Sequence, residues 1–440
     1  TVTGNHEVEH ENYYKYMKYD EFSDYPTVQS LNERFWSFTT GSLMVIGLNS
    51  NITTNLGDIQ KNWLEEKLNA AQFDPSIEFV FIIVHHFPTT ELWVEGITYD
   101  GGPAYIANKI VPILKRFPKV IQLSYGHTHG FERGTIESMI ENGWGDFRIV
   151  CGGGSGGATD RWGAFRNQDV PNIHITLDNY FYQLIEIDVY NRILESKMYS
   201  LGNSSKARNN EVLDSWYKKL NQPEPVRPTL KAPTFAIGKM VLNSSEIGSG
   251  DSLMTVRVQI SQEAAFVKSV IDTMIHWKNI YGVDALYNPI NKNAGLDLKK
   301  LSFPISKFVP NKTHYYRVKY RDHNLRWSVW STAFPFNTPT DVDDLQLPTE
   351  FALFQNYPNP FNPATTINYH IPKTSHVSLK VYDILGKEVA VLVNEVKLPG
   401  KYQINFDSNS ISKIKLASGV YIYRMIAEGF SFTKKLVVMK

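Results

Sequence analysis

Six consecutive apolar residues, Phe79-Val80-Phe81-Ile82-Ile83-Val84, restrict what this chain can fold into more than any other segment. The run is far shorter than the ~18 residues a membrane-spanning helix needs. A strand with one solvated face alternates apolar and polar residues, whereas one that is apolar throughout is buried on both faces. The run therefore predicts a parallel strand held between two layers. Its neighbours agree. Residues 57–68 place Trp63, Leu64 and Leu68 on one face of an amphipathic helix. Residues 107–116 read as a second helix, with Pro112 placed to bend it. A second strand, Val120 to Tyr125, follows, and this alternation of strands and helices is α/β.

At 440 residues the chain has the length of two to four domains, on a prior of roughly 150 residues each. Its 45 Lys and Arg against 44 Asp and Glu argue against a nucleic-acid or polybasic membrane binder, both of which need clustered positive charge. The single cysteine, Cys151, forbids an intrachain disulfide and excludes thiolate zinc knots. No transmembrane segment and no nucleic-acid-binding module are expected. The chain opens Thr1-Val2-Thr3-Gly4 without an initiator Met, which suggests a processed or truncated N terminus.

Composition shifts divide the chain into three regions. Residues 1–206 carry the α/β pattern, and residues 207–232 are a linker stiffened by Pro223, Pro225 and Pro228. Residues 233–337 turn to alternating strands and read as a β-sandwich. A short linker, 338–346, contains the acidic run Asp341-Val342-Asp343-Asp344, and residues 347–440 are again short strands punctuated by turns.

Five of the twelve histidines fall in three short clusters: Gly4-Asn5-His6-Glu7, Val84-His85-His86-Phe87-Pro88 and Gly126-His127-Thr128-His129-Gly130. The second and third directly follow the two predicted parallel strands, at the carboxyl ends where open α/β sheets build their sites. His127 and His129, two apart in extended backbone, are expected to project to one side and grip neighbouring metal ions. A lone histidine after a strand is more often a hydrogen-bonded rim residue; three clusters in order weigh against that reading.

The three clusters resemble the later motifs of the calcineurin-like metallophosphoesterases, and Gly126-His127-Thr128-His129-Gly130-Phe131-Glu132-Arg133 is most similar to the purple acid phosphatase branch. The resemblance implies a partial αββα metallophosphoesterase sandwich holding two metal ions, Fe, Zn or Mn. Asn5 and His127 would bind one metal and His129 the other. His86, which fits the family's His-x-Pro, would also be a ligand, with His85 as the alternative. His6 would face the phosphate and assist the leaving oxygen, with Glu7 beside it. The implied reaction is hydrolysis of a phosphate ester by metal-activated water attack. The family pattern begins with D-x-H and GDxx[YD], and neither occurs here before the first cluster. The sequence is therefore expected to be an N-terminally truncated piece lacking part of the metal site and its signal peptide. The glycine-rich Cys151 to Gly157 segment lacks the Lys of a phosphate loop and is expected to be a turn at the site's rim, with Cys151 a small buried residue.

Residues 233–337 resemble a fibronectin type III domain. Arg317, Lys319 and Arg321, at alternate positions, can interleave with the indoles of Trp327 and Trp330. Residues 347–440 closely resemble the type A C-terminal sorting domain of the type IX secretion system of Bacteroidetes. The resemblance is carried by Asn356 to Pro363, Val381 to Val389, Leu416 to Tyr423 and Lys434 to Val438. Together these imply a secreted or surface-bound phosphoesterase followed by two all-β sandwich domains. The competing reading is a non-catalytic surface protein that binds through its type III-like module.

Overall fold

The computed structural model describes residues 34–51, 54–86, 89–90, 102–140, 145–152, 172–236, 238–248, 251–339, 348–408 and 416–439. The GNHE cluster, Phe87-Pro88, the glycine-rich segment after Gly152 and the acidic linker therefore lie outside the described residues. Strands predominate over helices, in several separate sheets. Contacts divide the chain into two compact units. The first takes residues up to Lys231 together with Asn243–Lys300 and Tyr315–Phe334; the second takes Ala232–Leu242, Leu301–His314 and Pro335–Lys440.

In the first unit the strands β1 (Trp36–Thr40), β2 (Leu43–Gly47), β3 (Phe79–Ile83), β4 (Val120–Tyr125), β5 (Phe131–Ile136), β6 (Phe147–Cys151) and β7 (Ile173–Leu177) belong to one sheet, in the order β1-β2-β3-β4-β6-β5-β7. The pairs β2–β3, β3–β4 and β4–β6 are parallel. The helix α1 (Thr54–Phe73) makes the crossover from β2 to β3. A second helical stretch joins β3 to β4 and runs Gly102–Tyr105, a π turn Ile106–Ile110, then Val111–Leu114. It starts earlier than the sequence pattern indicates. Pro112 lies at the N-terminal end of its last piece, where the missing N–H is tolerated, and the widened π turn immediately precedes it.

The six-residue apolar run behaves as its composition requires. Val80 and Ile82 enter one core with Trp63, Leu64 and Leu68 of α1 and with Ile110 and Leu114. Phe79 and Phe81, alternating with them, enter another core with Leu194 and Trp216. Those last two come from a three-stranded antiparallel sheet, β8 (Tyr180–Asp188), β9 (Ile193–Gly202) and β10 (Ala207–Lys219), ordered β10-β9-β8. The main sheet is thus covered by helices on one face and by this sheet on the other.

Segments of the middle region complete the same unit. The strand Ile280–Val283 pairs in parallel with β7, with Ile280 opposite Ile175. Ile280 shares a core with Phe131, Val150 and Leu177. Asp146, beside β6, accepts the indole N–H of Trp327 at 2.9 Å and the Arg321 guanidinium at 3.2 Å. Arg321 also reaches Thr135 Oγ1 at 3.0 Å, and Arg148 donates to the carbonyl of His323 at 2.6 Å. The expected interleaving of cations and indoles is present. The Arg317 guanidinium carbon lies 4.5 Å from the Trp330 centroid, Lys319 Nζ 4.2 Å from Trp327, and the Arg321 guanidinium carbon 4.9 Å from Trp327.

In the second unit, residues 351–438 enclose a core that includes Leu353, Ile367, Val377, Leu379, Tyr423, Met425 and Leu436. Two antiparallel sheets contribute to it. The pair Ala364–Ile371 and Gly400–Asp407 belongs to one, and Ser375–Tyr382, Glu388–Lys397, Gly419–Ala427 and Phe430–Val438 form the other. Among the described residues no helix is long and apolar enough to cross a membrane.

Candidate metal centre

The parallel register brings the carboxyl ends of β2, β3 and β4 side by side, and backbone hydrogen bonds continue the ladder past the strand ends. Leu48 N donates to Ile83 O, Val84 N to Ser124 O, and Gly126 N to His85 O, at 2.9, 2.9 and 3.0 Å. Three adjacent loops are thereby fixed at one sheet end. They carry Ser50, the pair His85-His86, and His127. Each is delivered by a strand whose burial on both faces leaves little freedom in register.

His85, His86 and His127 form one cluster, in which one ligand nitrogen from each ring lies within 4.8 Å of the others. His85 Nε2 is 3.2 Å from His127 Nδ1, and the three ring centroids are 4.9 to 5.1 Å apart. His127 has φ 73°, in the left-handed region that a side chain rarely adopts. Such strain concentrates at functional sites, where surrounding structure enforces it.

His86 is the most enclosed of the three, 8% exposed. Its Nδ1 lies 2.8 Å from Ser50 Oγ, which also accepts the backbone N–H of His86 at 3.1 Å. Gly102 packs directly on the same ring: a Cβ there would stand 2.3 Å from His86 Nδ1. Burial, then the neighbouring His85 and His127, lowers the His86 pKa to about 3. The imidazole is therefore neutral at ordinary pH, the form that offers a lone pair to a metal. Three imidazoles are a donor set for a transition metal rather than for calcium or magnesium.

Polar groups brace the surrounding loops. Thr128, between His127 and His129, is buried with its Oγ1 3.1 Å from Cys151 Sγ, and Cys151 itself is fully buried in the helix-side core. Glu132 is buried and accepts from Thr90 Oγ1 at 2.7 Å and from the Tyr125 hydroxyl at 3.2 Å. The loop after β3 is so tied to β4 and β5. The next residue, Arg133, makes a two-bond pair with Asp214 at 2.5 and 2.9 Å.

Of the residues singled out by motif, His86 and His127 converge, and His85 joins both. His129, half-buried, is not a member of the cluster. His127 itself has left-handed rather than extended backbone. Asn5, His6 and Glu7 lie outside the described residues. Motif spacing does not single out Ser50. Its signal is the apolar run of β2 ending in Asn49-Ser50, equivalent in position to β3 ending in His85-His86.

Residues 355–439 match the family model of the secretion system C-terminal sorting domain. No curated protein matches the chain. Among solved structures, the chain is similar to the purple acid phosphatase PPD1 from seeds of yellow lupin, Lupinus luteus, at 14% identity and a TM-score of 0.32. That likeness covers 42% of this chain and 33% of the lupin enzyme, so the chain spans about a third of it. It is also similar to the FN1–FN3 domains of chicken CNTN1, at 9% identity and a TM-score of 0.24, over 71% of this chain and 90% of that one. At these TM-scores neither likeness assigns a function. The tail does carry one: a sorting domain of this family indicates export through type IX secretion, to the cell surface or beyond.

Proposed function

We propose that the first unit is a metal-dependent phosphoric ester hydrolase of the purple-acid-phosphatase-like kind, a partial αββα metallophosphoesterase sandwich exported by means of its C-terminal tail. The observation that carries the reading is the convergence of His86 and His127 at the carboxyl ends of neighbouring parallel strands, with a third imidazole beside them. Fe, Zn or Mn at such a site supplies Lewis acidity toward a phosphoryl oxygen and lowers the pKa of a coordinated water. In this reading Asn5 and His127 would hold one ion and His129 the other, with His86 as a further ligand. His6, with Glu7 beside it, faces the phosphate ester and hydrogen-bonds the leaving oxygen. The buried Glu132, through Thr90 and Tyr125, fixes the loops on which these side chains stand.

The cationic side chains of the middle region, the basis of the alternative as a binding protein, already interleave with its own indoles, which supports a structural role for that ladder. The function is tested with the whole chain, p-nitrophenyl phosphate and added Zn, Mn or Fe. Slow hydrolysis is expected, abolished by a chelator and by His127→Ala. Absence of turnover, or equal turnover in His127→Ala, overturns the proposal.

A further inference from the structure

We infer that His85 is itself a metal ligand, so that His85 Nε2, His86 Nε2 and His127 Nδ1 hold one transition-metal ion, with Ser50 as the group that orients His86. The inference rests on reading the cluster as a metal centre, and adds that both His85 and His86 ligate, where the motif calls for only one of them.

Spacing is the first argument. Imidazole nitrogens bound to one tetrahedral ion at ~2.0–2.1 Å are separated by roughly 3.3–3.4 Å. His85 Nε2 and His127 Nδ1 stand 3.2 Å apart, so an ion fits between them with little movement. That distance alone also suits a hydrogen-bonded histidine pair. The third ring decides the preference. His86 brings its ligand nitrogen within 4.8 Å of the other two, and a histidine pair has no need of it.

The orientation of His86 is the second argument. Ser50 is fully buried, and its Oγ takes both the backbone N–H and the Nδ1 side of His86. With Nδ1 engaged, Nε2 is the nitrogen left for a metal. Gly102 keeps the ring in place by close packing, because any side chain there would displace it. Hydrogen bonding of the far imidazole nitrogen is the usual way in which a protein fixes tautomer and ring orientation at a metal. Three imidazoles suit Zn(II) or Co(II), with Asn5 in the reading above as the further donor and expansion to five-coordination admitting substrate or water.

The experiment titrates the whole chain with Zn(II) by calorimetry and with Co(II) by its visible d–d spectrum. The parent should bind its tightest equivalent with a low-coordinate Co(II) spectrum. His85→Ala should weaken that equivalent by at least ten-fold and change the spectrum, and His129→Ala should leave it intact. Ser50→Ala should cost ten- to a hundred-fold in affinity, and Ser50→Thr, which restores the hydroxyl, should recover it. Melting in a chelator identifies any variant that fails to fold, in which case His85→Gln replaces it. Parent-like affinity and spectrum in His85→Ala, with binding lost in His127→Ala, overturn this inference and leave the proposed metal dependence standing. No binding by the parent overturns both.

Discussion

The site-bearing unit and the C-terminal tail are built on opposite plans. The tail draws its core from one contiguous stretch, and among the described residues of 351–438 its buried polar side chains are neutral: Asn356, Thr365, Ser375 and Ser408. The first unit buries charge, including Arg133, Asp146, Arg148, Asp214, Lys218, Arg321 and Asp322. Several of these pair across great sequence distances; Asp146 and Arg321 are 175 residues apart. A contiguous apolar core is robust to changes elsewhere. A core stitched by buried ions is not, because removing one partner leaves the other desolvated and uncompensated. The middle region, expected from sequence to be a β-sandwich of its own, thus supplies structural groups to the unit that carries the histidine cluster.

The contrast is most easily broken at Asp146, which serves both Arg321 and the Trp327 indole. Asp146→Ala should destabilise the first unit by about 3–5 kcal/mol. All nine tryptophans precede Ser331, so their fluorescence in urea reports on that part of the chain and not on the tail. A midpoint unchanged from the parent would show that the buried pair is not what holds the middle segments in place. Replacing both ions by apolar residues, as in Asp146→Leu with Arg321→Met, should cost less than the single change.

In the tail the matching test is a cavity. Leu379 is fully buried between Val377 and Val381 on the inner face of its strand. Leu379→Ala should cost about 2–5 kcal/mol, depending on how far the site collapses. The loss should appear in far-ultraviolet circular dichroism while the tryptophan transition stays where it was. A shift of both together would contradict the independence of the tail's core.

Acid separates the two plans next. Burial holds His174 and His276 well below the ordinary histidine pKa, with Arg321 and Arg133 adding repulsion and, for His276, His174 as well. Folded, they stay neutral; unfolded, they take up protons below about pH 6.5. Stability of the first unit is therefore complete above that pH and falls as pH drops through it, by about 1.4 kcal/mol per pH unit for each histidine. His370 in the tail is also lowered by burial, but is far less enclosed, so the tail should respond weakly. Melting from pH 7 to pH 5 checks this, and His174→Gln should flatten the response of the first unit. An equally steep response in His174→Gln would remove that histidine from the account.

What the sequence discloses follows the same division. In the tail, local turns and alternating strands lie close together in the chain, and the sorting-domain family is legible from them. In the first unit, periodicity suffices for α1, where Trp63, Leu64 and Leu68 face the core, and for the two-sided burial of β3. Motif order suffices to bring His86 and His127 together. Ser50 is another matter, since it meets His86 from 36 residues away through the β2–β3 register. The left-handed backbone at His127 is a tertiary constraint that motif spacing does not announce. The pairing of Asp146 with Arg321 exists only once the middle strands are in place.

The smallest expected effect sharpens the comparison at the level of single cations. In the first unit Lys319 is held at 4.2 Å from Trp327 and 5.3 Å from Trp330, and burial lowers its pKa despite the nearby Glu137. Trp327 is itself fixed by its bond to Asp146. That indole is thus ordered before the cation arrives, so little of its side-chain entropy is lost in the contact. In the tail Lys397 stands 5.2 Å from the Tyr402 ring, a longer distance, and also reaches Glu395 at 2.6 Å. Replacement by methionine keeps most of the apolar stem and removes the charge. Lys319→Met should therefore cost about 0.5–1 kcal/mol, read in the tryptophan transition. Lys397→Met should fall below that range, because its attraction is shared with a solvated carboxylate and weakened by distance. Equal losses at the two sites would mean that the order imposed by Asp146 and Trp327 contributes nothing to the ladder. A gain in stability for Lys319→Met would show instead that desolvating the ammonium outweighs its attraction to the two indoles.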